Sequence, residues 1–219
     1  MHTRVLVTGF EPFGGETVNP ALEAVKRLEG RTLETSEGRI QLCTKAIPTV
    51  FGRSVEVLEK AIEEARPDVV ICVGQAGGRH HITPERVAIN VDDARIPDNE
   101  GQQPVDTPIV AGGPAAYWTA LPVKRIVQSL QAAGIPASVS NTAGTYVCNH
   151  IFYGLMHLLS TKYQTIRGGF VHIPFLPEQV VDKEASSMSL EKIVQALEIA
   201  ITTTALHTTD LVIAAGTEC

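Results

Sequence analysis

The residues of this chain best suited to chemistry are a thiol, an imidazole and a carboxylate that lie far apart in sequence. Cys148 follows a Gly-containing turn and opens a predicted helix, and His172 lies near the end of a predicted strand. Glu85 lies between an irregular loop and the apolar run Val87 to Ile89, where a carboxylate needs a partner. A helix N-terminus favours a thiolate, and its free N–H groups can hold a developing oxyanion. Together these side chains supply a nucleophile, a base and an orienting group.

Each of these residues also has an interpretation that involves no chemistry. Cysteine is among the most buried residue types, so Cys148 could be a small apolar side chain of its helix. His172 could be a core histidine bonded to the backbone, and Glu85 could be a surface residue paired with Arg86. His150 lies two residues from Cys148 on a different helical face, so it is a poor candidate for the base.

Two glycine-rich loops are candidates for the walls of a binding site. The loop Gly9 to Gly15 (GFEPFGG) contains Phe10 and Phe13, two of only six phenylalanines in the chain, which either line a ligand pocket or pack into the core. This loop has neither the Lys of a P-loop nor the GxGxxG spacing, which argues against a phosphate cradle. After the second loop, Gly74 to Gly78, two adjacent histidines lack metal-ligand spacing, so we expect no metal site.

The elements that must position these residues alternate between apolar strands and amphipathic helices. Continuous apolar strands separated by helices indicate a sheet covered on both faces, so we predict one α/β domain over residues 1–219, a three-layer α/β/α sandwich with a mostly parallel, mixed sheet. The segment Gln75 to Pro114 has little periodicity and is expected to be functional or a small strand insertion. The predicted strands are Arg4 to Thr8, Ile40 to Ile47, Asp68 to Val73, Ala137 to Ser140 and Gly169 to Ile173. The predicted helices are Pro20 to Leu28 with Asn19 as N-cap, Arg53 to Ala65, Ala116 to Ala133 with Pro122 as an early kink or start, Cys148 to Ser160 and Ser189 to Leu206.

Composition excludes several classes of protein. With 44% hydrophobic and 19% charged residues the chain is globular, and a net charge of −6 argues against a nucleic-acid partner. The N-terminal sequence has no cleavage site of a secretory signal, and no apolar stretch reaches membrane-spanning length. We therefore expect a cytoplasmic protein without a membrane partner. Its four cysteines, Cys43, Cys72, Cys148 and Cys219, form no CxxC pair and are expected to be free thiols.

Several long motifs occur in a fixed order along nearly the whole chain. They are TGFEPFGG near the start, Asn19–Pro20, GQAGGR at 74–79, ITPERVAINVDDARIPDNEG at 82–101, SNTAGTYVCNH at 140–150 and HIPFLPEQ at 172–179. In these blocks the chain resembles the pyroglutamyl-peptidase I family, also called pyrrolidone-carboxylate peptidases. The resemblance implies an α/β/α fold and removal of an N-terminal pyroglutamyl (5-oxoprolyl) residue from peptides through a thioester, without metal or cofactor.

The resemblance also implies roles for individual residues. Cys148 would be the nucleophile, His172 the general base and acid, and Glu85 the residue that orients the imidazole. Relatives often have Phe at the position of Tyr146, so this chain keeps an aromatic wall and adds a hydroxyl that needs a partner. The implied substrate-binding residues are Phe10, Phe13, Asn19, Gln75, Arg95, Tyr146 and Val147.

Two other functions are compatible with the same architecture, because one fold hosts many activities. A nucleoside phosphorylase-like transferase would use a glycine-rich loop for phosphate and would tolerate loss of Cys148. A non-catalytic binder of blocked peptide N-termini would show no turnover. The three candidate catalytic residues and the Phe pair favour the peptidase. An assembly of two or four copies is also expected, with an interface on the 75–114 insertion.

Overall fold

A six-stranded, mostly parallel sheet forms the centre of the computed structural model, which describes residues 2–215. The strand order is β2-β3-β1-β4-β8-β5; the pairs β1–β3, β1–β4 and β4–β8 are parallel, and β2–β3 and β5–β8 are antiparallel. The strands are β1 (His2–Phe10), β2 (Thr32–Thr35), β3 (Gly38–Ile47), β4 (Val69–Gln75), β5 (Thr83–Pro84), β6 (Val87–Ile89), β7 (Ala116–Trp118) and β8 (Arg167–Ile173). The helices are α1 (Pro20–Leu28), α2 (Arg53–Ala65), α3 (Val123–Ala132), α4 (Val147–Thr161) and α5 (Leu190–Leu206).

Helices cover both faces of this sheet, so the predicted three-layer α/β/α sandwich is confirmed. Helices α1, α3 and α5 pack on one face, and α2 and α4 pack on the other. Alternate residues of the parallel strands β1, β3, β4 and β8 enter the two cores, as Val5 and Leu6 of β1 do. Fully buried leucines such as Leu28 of α1 and Leu58 of α2 each contribute about 2 kcal/mol by leaving water.

Local signals set the ends of the helices that the sequence predicts well. Asn19 caps α1 by accepting a hydrogen bond from the Ala21 N–H at 3.0 Å, and Pro20 occupies the first helical position. Helix α2 ends at Ala65, where Arg66 adopts a left-handed conformation and Pro67 follows. The predicted bounds of both helices, Pro20 to Leu28 and Arg53 to Ala65, are therefore confirmed.

The structure differs from the sequence prediction at two elements, and it contains a strand, β2, that the sequence does not predict. The helix predicted from Ala116 begins only at Val123, after Pro122, and its first part is instead strand β7. The strand predicted at Ala137 to Ser140 makes only isolated bridges, from Ala137 to Ile82 and from Ser140 to Glu85. The sequence does not predict strand β2, because its segment TLET contains no apolar run. In the structure its residues are exposed or only partly buried.

The irregular segment predicted at Gln75 to Pro114 is a strand insertion. It contains β5, which extends the central sheet, and β6, which pairs with β7 in a separate two-stranded antiparallel sheet. Of the cysteines, Cys43, Cys72 and Cys148 are free thiols, as expected, and Cys219 lies outside the described residues. Within residues 2–215, every helix is too short or too polar to cross a bilayer.

Candidate active site

The candidate catalytic residues lie near the carboxyl ends of the central parallel strands. Strand β4 ends at Gln75 beside the end of β8 at Ile173, and the preceding ladder pair is Gly74 with His172. Residues paired in register in a parallel ladder project to the same face. That face is the one covered by α4, whose second residue is Cys148. The prediction that a strand-end histidine and a helix-start cysteine share one face agrees with this geometry.

Glu85 and His172 are in direct contact in the interior. The Nδ1 atom of His172 lies 2.7 Å from Glu85 Oε1, and the two side chains are 5% and 0% exposed. The Glu85 backbone N–H donates to the Phe170 carbonyl, which fixes the carboxylate beside β8. Because an ionised carboxylate only accepts, Nδ1 carries the proton in this pair and Nε2 is left to act as a base.

Arg79 is the second partner of Glu85, and the sequence did not identify it. Its Nη1 donates to Glu85 Oε1 at 2.7 Å, and its Nη2 donates to the Thr142 carbonyl at 3.0 Å. The alternative pairing of Glu85 with Arg86 is wrong, since Arg86 turns away and donates to the Ala215 carbonyl. The signal that could have found Arg79 is the burial of Glu85, which requires a cation nearby.

Cys148 lies against the backbone of β4 at Gly74. A Cβ atom added to Gly74 would come within 2.9 Å of Cys148 Sγ and 2.6 Å of the Phe170 ring, so only glycine lets the sulfur approach this strand. The same Phe170 ring lies 4.8 Å from the His172 ring, centroid to centroid. The sulfur and the imidazole therefore lie on the same face of the sheet, the sulfur beside Gly74 and the imidazole beside Phe170.

The protonation state of Cys148 departs from the sequence prediction. Cys148 is half-buried, and its partial removal from water raises the pKa of its thiol to about 12; the Glu85 charge adds to this rise and the Arg79 charge opposes it. The expected stabilisation of a thiolate by the helix N-terminus is thus outweighed in the free chain, because burial disfavours the charged form. Tyr146 precedes α4, and its side chain makes no capping hydrogen bond. The N–H groups in the first turn of α4 therefore remain available to an oxyanion.

A groove of about 400 Å³ lies at the start of α4. Phe13, Arg95 and Tyr146 line it, together with Ile96 and the backbone around Gly144. The Phe13 and Tyr146 rings are 5.9 Å apart, and the Tyr146 hydroxyl donates to the Pro97 carbonyl at 3.1 Å. This hydrogen bond satisfies the extra hydroxyl, and it ties the start of α4 to the segment that carries Arg95.

The other four residues of the implied substrate set are not among those that line this groove. Phe10 is 3% exposed and packs against Phe170. It therefore belongs to the core, which was the alternative to its lining a ligand pocket. Asn19 is buried as the cap of α1, and its Nδ2 donates to the Glu11 carbonyl. Gln75 Oε1 accepts from Gln179, and Val147 is buried. The substrate contacts of these four residues stay predictions.

A second buried histidine–carboxylate pair involves His150, two residues after Cys148 on α4. The His150 Nδ1 is 2.7 Å from Asp92 Oδ2, and its Nε2 accepts from the Gly52 N–H at 2.9 Å. Since both ring nitrogens are occupied, His150 is unavailable as a base. Among residues 2–215, no three His, Cys, Asp or Glu side chains converge in a way that would hold a metal ion.

An α/β/α sandwich with a thiol at a helix start and a histidine–carboxylate pair at the strand ends has the architecture of a cysteine hydrolase. The family model described as pyroglutamyl peptidase matches residues 3–207. The chain belongs to the pyroglutamyl peptidase family.

Individual relatives cover almost the full chain. The pyrrolidone-carboxylate peptidase of Bacillus licheniformis is 63% identical over 211 residues, 96% of each chain, and that of Bacillus subtilis is 57% identical over 217 residues, 99% of each. The crystal structure of pyroglutamyl peptidase I from Bacillus amyloliquefaciens has a TM-score of 0.94 at 57% identity, covering 98% of this chain and 100% of that one. Pyrrolidone carboxyl peptidase from Pyrococcus furiosus has a TM-score of 0.88 at 45% identity, covering 93% of this chain and 98% of that one.

Proposed function

We propose that this protein is a cysteine exopeptidase that hydrolyses the amide bond after an N-terminal pyroglutamyl residue, with Cys148 as nucleophile, His172 as base and acid, and Glu85 as orienting group. The family to which it belongs consists of cysteine peptidases that remove N-terminal pyroglutamate. The observation that carries the residue assignment is the contact of His172 with buried Glu85 on the face where Cys148 approaches Gly74.

The reaction begins with transfer of the Cys148 proton to His172. Because the thiol is protonated in the free chain, His172 Nε2 takes its proton as Sγ attacks the scissile carbonyl. The N–H groups at the start of α4 stabilise the oxyanion, and each such donor contributes on the order of 3 kcal/mol. His172 then protonates the departing amine, and the pyroglutamyl group remains bound to Cys148 Sγ as a thioester. It next activates the water that hydrolyses the thioester and releases pyroglutamate.

The groove suits a small, flat and uncharged ring. A pyroglutamyl residue is a five-membered lactam without an ammonium group, so its faces can pack against the Phe13 and Tyr146 rings. The backbone of the turn at Gly144 offers partners for the lactam N–H and carbonyl. An N-terminal glutaminyl residue would bring an ammonium whose hydration must be lost on entry, which costs free energy.

A panel of three chromogenic amides tests this function. The purified chain should cleave the pyroglutamyl amide and leave the prolyl and glutaminyl amides intact at equal concentration. Added phosphate should have no effect, which separates the peptidase from a phosphorylase-like transferase. Binding of the pyroglutamyl amide without turnover would identify a non-catalytic binder and reject the proposal.

We also propose a homo-oligomer in the cytoplasm. Support for assembly comes from large apolar side chains left exposed on and near the insertion: Ile96, Val105 and Trp118. Support for a reducing compartment comes from the three free thiols at Cys43, Cys72 and Cys148. Light scattering after gel filtration measures the first property, and fractionation of cells measures the second.

A further inference from the structure

We propose that Arg79 is a positioning residue of the catalytic apparatus, which supplies the opposite charge to buried Glu85 and holds its Oε1 against His172 Nδ1. This inference rests on the proposed peptidase function and adds a fourth member to its machinery. Arg79 acts through Glu85 and touches neither the sulfur nor the imidazole in the contacts of the structure.

The first observation is that one carboxylate oxygen serves two donors. Glu85 Oε1 lies 2.7 Å from His172 Nδ1 and 2.7 Å from Arg79 Nη1, while Oε2 is buried without a hydrogen-bond partner among the described residues. A buried carboxylate requires an opposite charge and hydrogen-bond donors to replace the water it has lost. The adjacent guanidinium supplies both, and its hydrogen bond fixes the oxygen that accepts from His172.

The second observation is that Arg79 links the segments that lead to Glu85 and to Cys148. Its Nη1 also donates to Thr83 Oγ1 of β5 at 2.6 Å, and its Nη2 reaches the Thr142 carbonyl in the turn before α4. One planar side chain therefore contacts the strand before Glu85 and the turn that leads to Cys148. A lysine carries the same charge but cannot present this fork of donors.

The glycine-rich loop explains how Arg79 reaches this place. Gly78 has φ +88°, a conformation that other residues rarely adopt, and a Cβ on Gly77 would lie 2.4 Å from the Phe175 ring. The Arg79 N–H bonds back to the Ala76 carbonyl, which closes the turn. The GQAGGR motif is thus a tight turn that directs an arginine onto Glu85.

The charge of Arg79 also reaches titratable groups on other elements. The groups around it are Glu85 after β5, His172 on β8, Cys148 on α4, and His80 and His81 in the loop itself. Burial is the main cause of the raised Cys148 pKa and the Arg79 charge opposes it, whereas burial and the His80 charge lower the His81 pKa and the Arg79 charge adds to this effect. Without the Arg79 cation, the Cys148 thiol would therefore give up its proton only at higher pH.

The test compares Arg79→Ala and Arg79→Lys with wild type across pH on a chromogenic pyroglutamyl amide. We expect Arg79→Ala to lower kcat about 10²-fold with little change in KM, and to move the acid limb of kcat/KM upward by about one pH unit. Arg79→Lys should keep the acid limb near its wild-type position, because the charge remains, and recover only part of kcat.

Chemical rescue and a matched control complete the experiment. The Arg79 side chain is 28% exposed, so guanidinium ions can enter the space left in Arg79→Ala and should restore part of its activity. Arg86→Ala, which loses only the bond to Ala215, should keep the wild-type profile and show no rescue. An unshifted acid limb in Arg79→Ala beside an active wild type would overturn this proposal. An inactive wild type would instead overturn the peptidase function.

Discussion

At the scale of single residues, the nucleophile is shaped by two opposing influences. The start of α4 favours a negative sulfur, whereas burial against Gly74 and Phe170 favours the neutral thiol. Burial prevails, since it raises the pKa of Cys148 to about 12. Catalysis then requires that attack and proton transfer to His172 occur together, as in a serine hydrolase.

The thiol state of Cys148 gives a direct prediction. Because the pKa of Cys148 is raised, its thiol should carry no charge at neutral pH. The difference in ultraviolet thiolate absorbance between wild type and Cys148→Ser should therefore be zero at neutral pH and appear only in strong alkali. Alkylation of Cys148 by iodoacetamide should likewise accelerate with rising pH without a plateau near neutrality. Cys43→Ala serves as the control for the half-buried thiol on β3. A full thiolate signal at neutral pH would show a stable thiolate–imidazolium pair instead.

At the scale of elements, a helix cap also holds one wall of the site. Asn19 caps α1 through the Ala21 N–H and donates to the Glu11 carbonyl, within the loop that carries Phe13. Thr49 Oγ1 donates to the same carbonyl at 2.8 Å. In this geometry Asn19 fixes the loop between β1 and α1.

This dual role predicts that Asn19→Ala affects both stability and binding. Loss of the cap should reduce the free energy of unfolding by about 1–2 kcal/mol, and release of the loop should raise KM for the pyroglutamyl amide. Ser189→Ala is the matched control, since Ser189 caps α5 by accepting from the Lys192 N–H far from the groove. It should lower stability similarly and leave KM unchanged. Equal KM values in both variants would contradict the role assigned to Asn19.

The elements that sequence predicted well are those defined by local chemistry. The start of α1 is marked by Asn19 and Pro20, and the end of α2 is marked by Pro67. The apolar run at 69–73 is long enough to indicate a strand. The segment 116–118 was misassigned because its strand character comes from pairing with β6, about 30 residues earlier. Such pairing leaves no periodic signal in the chain.

At the scale of the whole molecule, parallel topology brings the candidate site together. The carboxyl ends of β1, β4 and β8 share one edge, which is why Phe10, Gln75 and His172 could be grouped from sequence. The Arg79–Glu85 contact depends on how the insertion folds beside β8, and the position of Cys148 depends on how α4 packs against β4. Spacing along the chain contains no information about either, so both required the structure.

The central claim is that Cys148 forms the acyl-enzyme with a pyroglutamyl group. The most direct measurement is mass spectrometry of enzyme quenched in acid during turnover of a slow pyroglutamyl ester or amide, followed by peptide mapping. We expect one added pyroglutamyl group on the peptide containing Cys148, removed by hydroxylamine, and neither adduct nor turnover in a folded Cys148→Ala variant. Undiminished turnover by Cys148→Ala, or an adduct on Cys43 or Cys219 instead, would contradict it.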